Sequence, residues 1–142
     1  MICRSPRLRS NERGSMAVEV VVIAPILVLV LMLVVAFGRY ADRKGDVEAI
    51  ARDAARAATL TRDVYQAQAA ANGVVTAAES RLFAGTRCAD PVISGTFAAG
   101  QSISVTVSCE LPWAGLAPIG LNGTVNMTAV ATSPLDQWRR TG

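Results

Sequence analysis

The sequence predicts an α+β protein: a long N-terminal helix, its first part crossing a membrane, then a small antiparallel β module. Three observations carry this. Val20 to Phe37 is an apolar run without a charge. Asp46 to Ala71 repeats apolar and small residues at spacings of three and four, the period of a helix. Ser102 to Leu111 alternates apolar and polar residues, the period of a half-buried strand.

The apolar run has 18 residues, about 27 Å of helix at the standard rise. With Ser15 to Glu19 added, it reaches across a hydrocarbon core of about 30 Å. Hydrophobic residues make up 51% of the 142-residue chain and are concentrated here. A chain of this size has too small a core to bury such a helix all round.

Charge is also localised. The net charge is +3, and Arg4, Arg7, Arg9 and Arg13 with Glu12 account for all of it; residues 15–142 balance. Basic residues before a span and mixed charges after it (Arg39, Asp42, Arg43, Lys44, Asp46, Glu48) place the N-terminus in the cytoplasm and residues 38–142 outside. With no basic face elsewhere and few aromatics, nucleic acid is not an expected partner. The sequence contains no histidine, which removes Ser-His-Asp and Cys-His catalysis and all histidine metal sites. Phosphate-cradling glycine motifs are absent too. The expectation is a non-enzyme with no cofactor, no metal and no small-molecule substrate.

Three readings fit the N-terminal run taken alone. It is a cleaved secretory signal with a cut near Ala36-Phe37-Gly38, a plain uncleaved signal anchor, or a membrane helix with its own processing site. A secretory h-region is usually about 7–15 residues, shorter than this run. Neither of the first two readings uses Glu19. A carboxylate in a membrane helix costs about 2.5–3.5 kcal/mol near the centre, less at the edge. A nearby cation offsets that cost, and the positive end of the helix dipole also favours a carboxylate there.

Gly14-Ser15-Met16-Ala17-Val18-Glu19, with Pro25 six residues on, resembles the N-terminus of TadE-like proteins, minor pilins or pseudopilins of the tight-adherence pilus system. The same segment is similar to the cleavage region of type IV prepilins. The resemblance implies that a prepilin peptidase cuts after Gly14. Ser15 then becomes the first mature residue and Glu19 the fifth. It also implies that Glu19 meets the terminal amine of a neighbouring subunit and sets register in a pilin-like helical bundle, and that Pro25 belongs to the assembly helix. Partners would be the membrane, the peptidase and other pilin subunits. Ser15 departs from the aromatic first residue of many type IV pilins. The chain is also much longer than short major pilins, which points to a minor subunit. The alternative is a membrane-tethered extracytoplasmic interaction domain behind an uncleaved anchor.

Four segments follow: a leader over 1–14, a transmembrane helix over 15–37, a continuation helix over 38–72 and an α+β module over 73–142. The continuation helix carries the stripe Val47, Ile50, Ala51, Ala54, Ala58, Thr61, Tyr65 and Gln68. Its segment 51–58 resembles the alanine-rich stretch that follows the membrane helix in TadE-like proteins. A single helix from Ser15 to Ala71 would be about 85 Å long, with Gly38 and Gly45 as weak points where it bends. Glu48 and Arg52 form a favourable i,i+4 pair. Asn72-Gly73 reads as a helix stop, and Thr76 to Glu79 as a capping box opening a short helix through Phe83.

In the module, Ile103, Val105, Val107, Cys109 and Leu111 share one face of the clearest strand. Gly123 to Thr132 forms a second strand, antiparallel to it, and Val92 to Phe97 an additional arm. Pro112 to Asn122 connects the two main strands, with Trp113 anchoring the packing or covering the core. Strand, Leu-Pro-Trp, glycine loop and second strand resemble the distal part of TadE-like proteins. Cys88 and Cys109 lie in the part expected outside, where disulfides persist. They either bridge, stabilising by roughly 3 kcal/mol in the loop-entropy model, or remain two buried thiols; the bridge is the expectation. Cys3 falls in the leader.

Overall fold

A computed structural model describes residues 13–113 and 123–138, with side chains from Val18 onward. It contains α1 (Arg13–Thr59), α2 (Val64–Glu79), β1 (Arg87–Cys88), β2 (Val92–Gly95), β3 (Ser102–Pro112) and β4 (Thr124–Pro134). Leader residues 1–12, Cys3 among them, and 114–122 of the connecting segment, with Pro118 and Gly120, lie outside the described residues. The chain divides into two units, Met1–Val35 and Ala36–Gly142.

The first unit is the N-terminal part of α1, helical through Pro25. α1 also passes Gly38 and Gly45 without interruption. A Cβ at either glycine would meet nothing within 4 Å.

The expected single helix to Ala71 is not formed. α1 ends at Thr59 and α2 begins at Val64. Leu60 and Thr61 donate their amides to the Ala57 and Ala58 carbonyls at 3.2 and 3.3 Å, a tightened last turn. The hydroxyls of Thr59 and Thr61 donate to the carbonyls of Arg56 and Ala58 at 2.8 and 2.9 Å. Side chains of this type offer the backbone alternatives to helix. Asp63 is extended (φ −136°, ψ 163°), and its carboxylate accepts from the Gln66 amide at 2.8 Å, capping α2.

This break resets the buried face. Val47, Ile50, Ala51, Ala54 and Ala58 are buried, as their spacing implies, and Ala55 joins them. Tyr65, by contrast, is 85% exposed, and the buried residues of α2 are Ala67, Ala71 and Val75. Asn72-Gly73 is not a stop, because α2 runs through it. Thr76 to Glu79 is the last turn of α2 rather than the start of a helix.

β3 is the centre of an antiparallel sheet. Its full length pairs with β4, from Ser102↔Pro134 to Pro112↔Thr124, in one unbroken register. Its other side carries β1 at one end (Cys88↔Cys109) and β2 at the other (Val92↔Thr106). Between them the register slips by one residue, with Ala89, Asp90 and Pro91 opposite Val107 and Ser108. Proline cannot donate to a ladder, so this is where an edge strand tolerates it. The Gln68 amide donates to the Pro91 carbonyl at 2.6 Å and ties α2 to the interruption. The expected arm over 92–97 ends at Gly95. Gly95 has φ +109°, and a Cβ there would lie 2.8 Å from the Ser102 carbonyl oxygen.

The apolar faces of β3 and β4 form one core with the alanine faces of the helices. Ile103, Val105 and Val107 are fully buried. Trp113 is not part of that core: it is 39% exposed. Its ring lies against Gly123, where a Cβ would come within 2.7 Å. Its amide donates to the Gly123 carbonyl at 2.9 Å.

Candidate functional site

The residues singled out by the sequence lie on α1 and in the sheet. Gly14 and Ser15 are in the first turn of α1. Glu19 follows Ser15 by four residues, so the two backbone positions are one turn apart, about 6 Å along the axis. Glu19 is exposed, and among the described residues it has no ion-pair partner. Pro25 removes one amide donor from the helix, leaving the Val21 carbonyl without its i+4 partner.

From Val18 to Val35 no apolar side chain of α1 is buried. Val21, Leu29 and Leu31 are 64–72% exposed. A contiguous apolar surface of this extent marks a site of interaction with lipid or protein rather than a face for water. Among the described residues this is one helix long and apolar enough to cross a membrane.

The family model for TadE-like proteins matches residues 14–56. Over that stretch the chain is TadE-like. The match takes in Gly14, Ser15, Glu19 and Pro25, and ends within the alanine-rich buried face of α1. The β module lies outside it. No curated protein and no solved structure matches the chain. The TadE-like segment points to a protein associated with the tight-adherence pilus.

In the module, Cys88 and Cys109 form the disulfide, with Cα atoms 4.0 Å apart. They face one another across β1 and β3. The next amide, Ala89, donates to the Ser108 carbonyl at 2.9 Å, so the cysteines are a non-hydrogen-bonded pair, the closer kind in an antiparallel ladder. Cys109 is buried on the apolar face of β3. The staple therefore fixes the two-residue β1 to the central strand, which its two residue pairs would hold only weakly.

Two local ion pairs lie along α1. Arg43 meets Asp46 at 3.4 Å, and Arg52 meets Glu48 at 3.9 Å, the expected i,i+4 pair. Arg43 also stands over the Phe83 ring at 5.9 Å, joining α1 to the segment after α2. The sequence reading missed Asp63 as a cap. Its signal was present: Asp63 followed at the third position by Gln66 has the form of a capping box.

Proposed function

We propose that this protein is a minor pilin or pseudopilin, a structural subunit in assembly of a tight-adherence pilus. The observation that carries the reading is the coincidence of the TadE-like match with the unburied apolar helix and with Gly14, Ser15 and Glu19. A prepilin peptidase cuts after Gly14. The new amine of Ser15 supplies a cation for Glu19, which has no ion-pair partner among the described residues, and the amine of one subunit meets the carboxylate of the next. The helix of 15–37 holds the subunit in the membrane before assembly and packs against other pilin helices afterwards. The disulfide supports an extracytoplasmic location for the module, since bridges of this kind persist in oxidising compartments. The leader charges support a cytoplasmic N-terminus. The role is structural, with no catalytic step and no cofactor.

The N-terminal sequence of the mature protein tests this. Ser15 as the first residue supports the reading. A start at Met1 supports an uncleaved anchor instead, and a start near Arg39 a secreted protein. Glu19→Gln and Glu19→Ala are expected to leave membrane insertion intact and to reduce pilus incorporation. Normal incorporation of both variants removes the role given to Glu19.

A further inference from the structure

The two edges of the sheet differ. One is broken into β1 and β2, slips register, carries Arg87 and Asp90, and contains Pro91, whose carbonyl Gln68 occupies. These are the devices by which natural sheets prevent edge pairing. The other edge, β4, has none of them. It is eleven residues long, carries no charged residue, keeps one register throughout and has proline only as its last residue.

The hydrogen-bond pattern shows which groups of β4 have no ladder partner among the described residues. Ala89 donates to Ser108, so the even-numbered residues of β3 face β1 and β2 and the odd-numbered ones face β4. The bonds from the Trp113 amide to Gly123 and from the Leu135 amide to Gln101 fit the same alternation. Asn126, Thr128, Val130 and Thr132 therefore point their amides and carbonyls away from the sheet. Beside them runs a groove of about 530 Å³ between β4 and the α1 side chains Lys44, Glu48 and Arg52. Ala129 and Ala131 form its floor, and their small size leaves the space open.

The geometry points to β4 as a docking edge for an extended segment of a partner protein that joins the sheet as a further strand and presents carboxylates to Lys44 and Arg52. Charge selects that occupant. Glu48 is engaged by Arg52, and Lys44 has no ion-pair partner among the described residues, so the groove carries a surplus cation. A second copy fits poorly. Antiparallel pairing of β4 with another β4 brings together two grooves that carry the same surplus positive charge. Pairing with the opposite edge of another copy offers only the four residues of β2. Backbone pairing supplies affinity and alternate side chains supply selectivity in strand addition of this kind. This inference does not depend on the pilin reading.

Amide exchange, measured residue by residue on the full chain in detergent, tests it. The probes are two synthetic peptides of about ten residues, alternating valine and threonine, one bearing two glutamates and the other two lysines. The glutamate peptide is expected to slow exchange at Thr128 and Val130 by about tenfold at a concentration where the lysine peptide has no effect. Val130→Pro removes an outward amide without touching the β3 ladder and is expected to abolish the protection while leaving exchange in β3 unchanged. Lys44→Glu is expected to reverse the preference between the peptides, a result that does not rely on the proline variant folding. Equal protection by both peptides, protection by neither, or concentration-dependent protection in the chain alone would each overturn the proposal; the last would assign the edge to a second copy.

Discussion

Valine occupies two environments in this chain. Between Val18 and Val35 every valine is 50–72% exposed, whereas Val47, Val105 and Val107 are at most 1% exposed. The side chain and its aversion to water are the same in both places, about 25 cal/mol for each Å² of apolar area. What differs is the source of burial. The module covers Val47, Val105 and Val107 by setting alanine faces of two helices on one face of a sheet. Along the N-terminal part of α1, from Val18 to Val35, none of the described apolar side chains is buried. Its apolar surface suits an apolar surrounding, lipid or protein.

Substitutions separate the two. The largest effect is expected in the module core. Ile103→Ala should cost about 2–5 kcal/mol, read as a lowered midpoint of thermal or denaturant unfolding, with membrane retention unchanged. Leu29→Arg inverts this. It should cost about 2.5–3.5 kcal/mol on membrane insertion, read as the fraction extracted from membranes, and leave the unfolding of detergent-purified protein unchanged. A drop in module stability with Leu29→Arg would break the comparison, because the helix would then be packing on the module.

The staple comes next. Cys88→Ala should lower module stability by roughly 3 kcal/mol, checked by comparing its unfolding with that of the reduced parent chain. If the loss is the same in both, the bridge carries the effect; an added loss would show that the Cys88 side chain packs in its own right. Asp63→Ala removes the α2 cap and should cost about 1 kcal/mol. The smallest effect has the opposite sign. Gly45→Ala places a methyl in open space on α1 and should stabilise by about 0.5–1 kcal/mol. If pilus incorporation falls while stability rises, a neighbouring subunit approaches α1 at that position.

Much of this was readable locally. The run to Phe37 declared a long apolar helix by composition, and the alternation from Ile103 to Leu111 declared a strand with one buried face. The Glu48–Arg52 pair followed from helical spacing. The Cys88–Cys109 bridge was legible from the alternation that put Cys109 on the apolar face, together with the exterior setting expected of both. Errors gathered where two local signals competed. The stripe from Val47 to Gln68 has continuous helical spacing, but Thr59, Thr61 and Asp63 interrupt it, and α2 buries Ala67, Ala71 and Val75 on a new phase. Thr76 and Glu79 have the form of a capping box but fall inside a helix already formed.

Composition and periodicity by themselves determined which segments seek an apolar surrounding and in what backbone form, because both are properties of neighbouring residues. Only the tertiary structure decided which strand lies beside which: β1 and β2 end to end on one side of β3, and on the other β4, with no further strand beside it among the described residues. Strand order depends on pairings between residues distant in sequence, and each is chosen by how well a whole face is covered. No short stretch of the chain contains that choice.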